Sequence, residues 1–320
     1  MSPMKLTKGW IAFLVFTAAL AVYPHLFLNP FPRHLLIMIM LYATMSVGWN
    51  IIGGYTGQVS FGNAAFFGVG AYTTAILLMH FGINPWLGMV AGCFLSVLLA
   101  LVVGYPCFRL QGHYFAIATI AVGEIMMLIF TSWDFVGGAV GIYMPILPES
   151  WKNFVFHTSK LPYYYIIMVM FFLALGISYF FEKGRIGYYC RAIKDDPDGA
   201  RSLGINIQKY KMIAFSLSAI ITSMCGTFYA QYVLYIHPSS TIDLMMSIQL
   251  CIIVLIGGIG TFFGPVIGAF VFIPLTELTR VYLGSDGQGI DMMIYALLII
   301  LIAILKPHGL LSLFQRKETA

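Results

Sequence analysis

Of the 320 residues, 60% are hydrophobic and only 9% charged, where an ordinary soluble domain carries about a quarter, so water is excluded as the main solvent of this surface. The net charge of +5 does not mark a nucleic-acid binder, because the basic residues sit at the ends of apolar segments and in one loop rather than in a continuous patch. Five cysteines without a C-x-x-C pair signal neither a zinc site nor a disulfide framework.

The first apolar run, near 10 to 28, follows Lys5 and Lys8 and is Ala-rich near Ala21, which leaves a cleaved signal peptide as the alternative to a membrane span. Runs near the length that crosses a bilayer, roughly 20 residues, then recur near 34 to 53, 61 to 80, 84 to 104, 114 to 131, 162 to 181, 211 to 233, 244 to 258, 265 to 283 and 289 to 306. The expected fold is all-α, a polytopic membrane helix bundle of ten spans. Residues 182 to 211 carry seven of the seventeen basic residues, Lys183, Arg185, Arg191, Lys194, Arg201, Lys209 and Lys211, and the positive-inside rule makes that loop cytoplasmic. Six spans before it and four after it put both the N-terminus (1–9) and the tail (307–320) in the cytoplasm as well. The connections near 54 to 60, 105 to 113 and 259 to 264 then face the cytoplasm. Residues 132 to 161 form the longest outward loop, with Trp133, Trp151 and Tyr163 to Tyr165 expected at the outer headgroup level.

Two glycine-rich reversals interrupt the spans. IIGGYTGQVSFGNAAFFGVGAY holds Gly53, Gly54, Gly57, Gly62, Gly68 and Gly70, and LIGGIGTFFGPVIGAF holds five more glycines. Gly53/Gly57, Gly260/Gly264 and Gly264/Gly268 have G-x-x-x-G spacing, which permits close helix approach. The sharper reading makes these segments broken or re-entrant helices, tolerated where they line a cavity or are buried in protein, and Gln58, Ser60 and Asn63 then offer polar groups to a pathway.

Glu124 lies inside the apolar run YFAIATIAVGEIMMLIF, where a carboxylate costs about 2.5–3.5 kcal/mol at a helix centre. Either it faces a translocation cavity or it is a protonated or hydrogen-bonded packing residue. The loop that follows begins TSWDFVGGAVGI, which reads as a turn and, being the largest external surface, is a candidate contact for an extracytoplasmic binding protein. Glu277 and Arg280, one helical turn apart, are expected to pair locally.

Within the basic loop, KDDPDGARSLGINIQKYK offers Asp196 as an N-cap, Pro197 at the first helical position and Gly204 as a stop. A short helix of about two turns follows, with Ala200 and Leu203 on one face as an apolar knob and Asp198 and Arg201 elsewhere. A solvated or membrane-surface helix is the alternative.

Three stretches in this order, GWNIIGGYTGQVSFGNAAFFGVGAY, RAIKDDPDGARSLGINIQKYKMIAFSLSA and LIGGIGTFFGPVIGA, resemble permeases of the branched-chain amino acid ABC importer family, specifically its LivM-like member. YFAIATIAVGEI, GGAVGI and the C-terminal GLLSLF are also similar. The resemblance implies one permease domain over 10–306 with a cytoplasmic coupling loop at 182–211, in a bacterial inner membrane. It implies as partners a homologous permease subunit, two ATPase subunits and an extracytoplasmic substrate-binding protein. The family's coupling segment falls on Asp196, Pro197, Asp198, Gly199, Ala200, Arg201, Ser202, Leu203 and Gly204, which would dock on the ATPase. This chain is then a transport subunit, not an enzyme. ATP and Mg are used by the partner ATPases, and no cofactor or metal is expected on the chain itself.

The residues agree with that division of labour, because no G-x-x-x-x-G-K-[ST] phosphate loop occurs and the motor must lie on another chain. Seven histidines are scattered singly, with no H-E-x-x-H or G-x-S-x-G string, which argues against a membrane enzyme. The remaining rival is a secondary transporter that uses Glu124 as a proton carrier.

Overall fold

A computed structural model describes residues 17–283, except 19, 26–28, 111, 146 and 157, together with 309 and 310. Helix α1 (Pro30–Thr56) starts with Pro30 in its first turn and ends on Gly57 at φ +71°, a left-handed conformation that glycine adopts without steric cost. Its 27 residues extend about 40 Å at 1.5 Å per residue, more than a hydrocarbon core of about 30 Å. There follow α2 (Asn63–Phe81), α3 (Pro85–Cys107), α4 (His113–Ser132), a two-residue strand β1 (Ile142–Tyr143) and α5 (Leu161–Lys183). The basic loop folds as α6 (Arg185–Asp195) and α7 (Pro197–Ser202), and leads into α8 (Ile207–Val233). Strand β2 (Tyr235–Ile236), the single turn α9 (Pro238–Thr241), α10 (Leu244–Gly257) and α11 (Gly264–Leu283) complete the described chain.

Seven helical segments are long and apolar enough to cross a membrane: 30–56, 63–81, 85–107, 113–132, 161–183, 207–233 and the composite 238–257; Gly264–Thr279 is a shorter apolar helix. These correspond to the second through ninth expected spans. The all-α membrane bundle stands, while seven candidate spans, not ten, are found among the described residues. Of the first expected run only 17, 18 and 20–25 are described, and they are helical; the tenth run, residues 1–9 and nearly all of the tail lie outside the described residues, as does the side chain of Arg280.

Helix α1 is the axis of the bundle, packed on α5, α8, α10 and α11, and α2, α3 and α8 all pack on one another. Lipid tails are as apolar as leucine, so such helices associate through close packing and hydrogen bonds rather than through hydrophobic transfer. The α2–α8 seam shows both. A Cβ at Gly226 would overlap the Phe67 carbonyl, and one at Gly70 would overlap the Ser223 carbonyl, so each helix uses a glycine to touch the other's backbone. Beside them Thr74 and Thr227 share a hydrogen bond at 2.9 Å, and Thr227 donates to the Gly70 carbonyl at 3.1 Å.

Of the G-x-x-x-G pairs, Gly264 and Gly268 serve a tight hairpin, since side chains there would overlap the Gly258 and Ile253 carbonyls. Gly53 and Gly57 do not pack helices. Gly53 leaves room for the Trp49 ring of its own helix, and Gly57 turns the chain.

Hydrogen bonds sort the connections into two ends. Gln208 donates to the Tyr105 carbonyl at 3.3 Å and the Gly260 amide donates to Asn50 at 2.9 Å, which gathers 105–113, the α7–α8 junction and the 258–261 turn at one end. At the other end β1 pairs with β2, the Tyr143 and Tyr235 rings stack at 4.3 Å, and Trp86 donates to the Trp151 carbonyl at 2.8 Å. Trp133 and Trp151 are exposed there. Tyr163 and Tyr164 instead lie buried, donating to the Gln231 and Leu20 carbonyls, and Tyr165 donates to the Ala21 carbonyl. Carbonyls offered by neighbouring segments draw these phenols inward.

Candidate functional site

The first glycine reversal is re-entrant in the sense that its chain folds back beside the end of α1. After Gly57 the chain is non-helical through Gly62, and α2 begins only at Asn63. The Ser60 carbonyl accepts a 2.7 Å hydrogen bond from the Nε1 of Trp49, seven residues before the end of α1, so the chain folds back beside that helix. Backbone groups freed in this way cost several kcal/mol each inside a bilayer unless they find partners. Three neighbours and one local hydroxyl supply them. Besides Trp49, Thr119 of α4 accepts from the Phe61 amide at 3.0 Å, Ser247 of α10 accepts from the Ala64 amide at 2.9 Å, and Ser60 Oγ accepts from the Gly62 amide at 3.3 Å. Sequence reading missed Trp49, Thr119 and Ser247, whose only signal is a lone hydroxyl or indole within an apolar run.

The expected pathway residues divide between two sides of this segment. Gln58 is half-buried, whereas Ser60 and Asn63 are fully buried and face the bundle. Asn63 Nδ2 donates to Ser218 at 3.0 Å and Thr222 at 3.3 Å, which fixes the start of α2 against α8, while its Oδ1 has no partner among the described residues. Glu124 is exposed on the outer face of α4, beside a crevice too narrow to hold water and lined by Phe61, Ala64, Ile120, Gly123, Ile242 and Leu244. The structure thus brings Glu124 to the outer side of the re-entrant segment and keeps Ser60 and Asn63 on the inner side.

The second reversal meets the first. Asn50 of α1 accepts from the Gly260 amide at 2.9 Å and donates to the Thr261 carbonyl at 3.0 Å, so one side-chain amide clips the 258–261 turn to α1. Helix α6 lies beside this junction and turns Gly187, Cys190 and Ile193 inward. Arg191 binds Glu182 at 2.7 Å, the Tyr55 hydroxyl donates to the same carboxylate at 3.4 Å, and the guanidinium lies 5.5 Å from the Tyr55 ring centre. Burial pushes the Cys190 thiol up to about 12, so it stays an inert thiol at neutral pH.

Asp196 caps α7 as its sequence requires, accepting from the amides of Asp198 and Gly199 at 3.1 and 3.0 Å, with Pro197 in the first turn and Gly204 at φ +80° ending the segment. The helix is six residues long, close to the expected two turns at about 3.6 residues per turn. Its shared apolar face is split. Ala200 is 3% exposed, turned toward α6 and α8, whereas Leu203 is 82% exposed. Asp198 and Arg201 are exposed and 3.7 Å apart, a pair worth little in water. Among the described residues no group of three His, Cys, Asp or Glu side chains is arranged to hold a metal ion.

Residues 32–303 match the profile of the family described as branched-chain amino acid transport system / permease component. The chain is 27% identical over 299 residues to the high-affinity branched-chain amino acid transport system permease protein LivM of Salmonella typhimurium, covering 86% of this chain and 69% of that one. It is 25% identical to the permease protein LivH of the same organism, covering 85% of this chain and 91% of that one. A probable LivM of Methanocaldococcus jannaschii is 23% identical, with 87% and 92% covered. No solved structure matches. The matched range includes the re-entrant segment, α6, α7 and the second reversal, and the chain belongs to the branched-chain amino acid transport permease family.

Proposed function

We propose that this chain is the LivM-like permease subunit of an ABC importer, moving branched-chain amino acids inward with energy from ATP hydrolysed on partner subunits. It has ten spans, with both termini and the basic loop in the cytoplasm, and works with a homologous permease, two ATPase subunits and an extracytoplasmic binding protein. The observation that carries this reading is α7, a short capped helix packed on α6 and α8 at the end of the bundle and followed directly by an exposed leucine, Leu203. A leucine in that position suits an apolar pocket on a partner, and Asp196 to Gly204 form the docking element. The relatives named above transport branched-chain amino acids, which sets the substrate class. Two arrangements of the bundle, biased through α7 by the nucleotide state of the ATPases, would alternate access to the pathway, with Gln58 and Glu124 on its accessible side and Ser60 and Asn63 holding its wall.

The test is radiolabelled leucine uptake into proteoliposomes containing this chain, a homologous permease, the ATPases and the binding protein, with and without internal ATP. Uptake should require ATP, and Leu203→Asp should lower it at least about tenfold, the effect of losing roughly 1.4 kcal/mol of docking energy. Uptake that ignores ATP and follows a proton gradient would overturn this reading in favour of a carrier built on Glu124.

A further inference from the structure

The C-terminal turn of α1 ends in carbonyls that have no partner inside the helix. One of them, on Gly54, accepts a 2.8 Å hydrogen bond from Lys194 Nζ. A cation there also complements the negative end of the helix dipole. The contact is closely fitted. A Cβ at Gly57 would lie 3.0 Å from Lys194 Cγ, and one at Gly260 would lie 3.3 Å from Lys194 Nζ and 3.0 Å from the Gly54 carbonyl. The lysine stem therefore lies against the glycine that turns the chain into the re-entrant segment, and its ammonium lies beside the second reversal, which Asn50 ties to α1.

Lys194 sits in the last turn of α6, two residues before Asp196, the cap of α7. One side chain therefore joins the root of α7 to the pivot of the re-entrant segment. Lys194 is itself exposed and adds little to core packing, so its specific partners, rather than buried area, define its contribution.

We propose that Lys194 is a positioning residue that passes movement of α7 to the Gly57 pivot, coupling ATP use to movement of the re-entrant segment. This rests on the importer reading above. The experiment uses the complete transporter in proteoliposomes and measures binding-protein-stimulated ATP hydrolysis and leucine uptake in the same vesicles. Lys194→Met keeps the stem and removes the donor. Uptake per ATP hydrolysed should fall about tenfold, the effect of losing one charged hydrogen bond, while hydrolysis persists. Lys194→Arg, which retains a charged donor, should keep most of the wild-type ratio. An unchanged ratio in Lys194→Met overturns the proposal, and so does a parallel fall of hydrolysis and uptake in an assembled complex, which would mark a docking or structural role. If Lys194→Met does not assemble, Lys194→Gln is read in its place and should show the same lowered ratio; its failure to assemble would also overturn the proposal. ATP-independent uptake by the wild type would fail the importer reading instead, a result separate from all of these.

Discussion

At the scale of single residues, the re-entrant segment depends on a few side chains that answer backbone groups. Trp49 is the clearest, a fully buried indole whose N–H reaches the Ser60 carbonyl. Trp49→Phe keeps much of the ring and removes the donor, leaving a buried acceptor unanswered at a cost of about 1–3 kcal/mol. The expected result is a lower melting temperature in detergent and reduced ATP-driven uptake, and an unaltered melting curve would show that the carbonyl finds another donor. The sequence shows that Ser60 and Asn63 are polar residues among glycines, a fair sign of an irregular segment. It does not show which way they face, because that depends on hydroxyls of α4, α8 and α10 that lie 58 or more residues away.

At the scale of elements, local chemistry is legible and tertiary facing is not. The cap of α7 follows from Asp196, Pro197 and Gly204 because capping is settled within a few residues. The facing of Ala200 and Leu203 fails for a physical reason. Leu203 lies just beyond the last helical turn, so helical spacing no longer fixes its direction, and α6 and α8 close over Ala200. The two positions should therefore respond oppositely. Ala200→Asp puts a charge into a packed interior and should lower the melting temperature of the purified chain, since unpaired buried charge is among the largest mutational costs. Leu203→Asp should leave stability within about 0.5 kcal/mol, as exposed substitutions usually do, while disabling transport. Equal melting shifts in both variants would contradict the split face. Gly53 and Gly57 teach the same lesson, since a spacing motif names a capacity for close approach and the neighbours decide whether it is used.

At the scale of the whole molecule, the two helices on the outside of the α2–α8 seam differ in a way that bears on assembly. Helix α3 exposes Leu87, Val90, Phe94, Leu98 and Val102 and carries no charged residue, a surface suited to lipid tails. Helix α4 is the least buried of the seven crossings and exposes Tyr114, Ile117, Ala121, Glu124 and Leu128. Their alternating spacing of three and four residues is the seam by which one helix packs along another. A carboxylate in the middle of that stripe is costly against hydrocarbon, and the crevice beside it is lined by Phe61 of the re-entrant segment and Ala64 at the start of α2. The homologous permease is therefore expected to cover α4, with the pathway between the two chains. In a complex whose homologous permease carries cysteines along its matching helix, Ile117→Cys or Leu128→Cys should cross-link the two permeases on oxidation. Val90→Cys and Val102→Cys on α3 should not. Cross-linking through α3 alone, in a complex that still transports, would place lipid against α4 and require Glu124 to meet that cost without a protein partner.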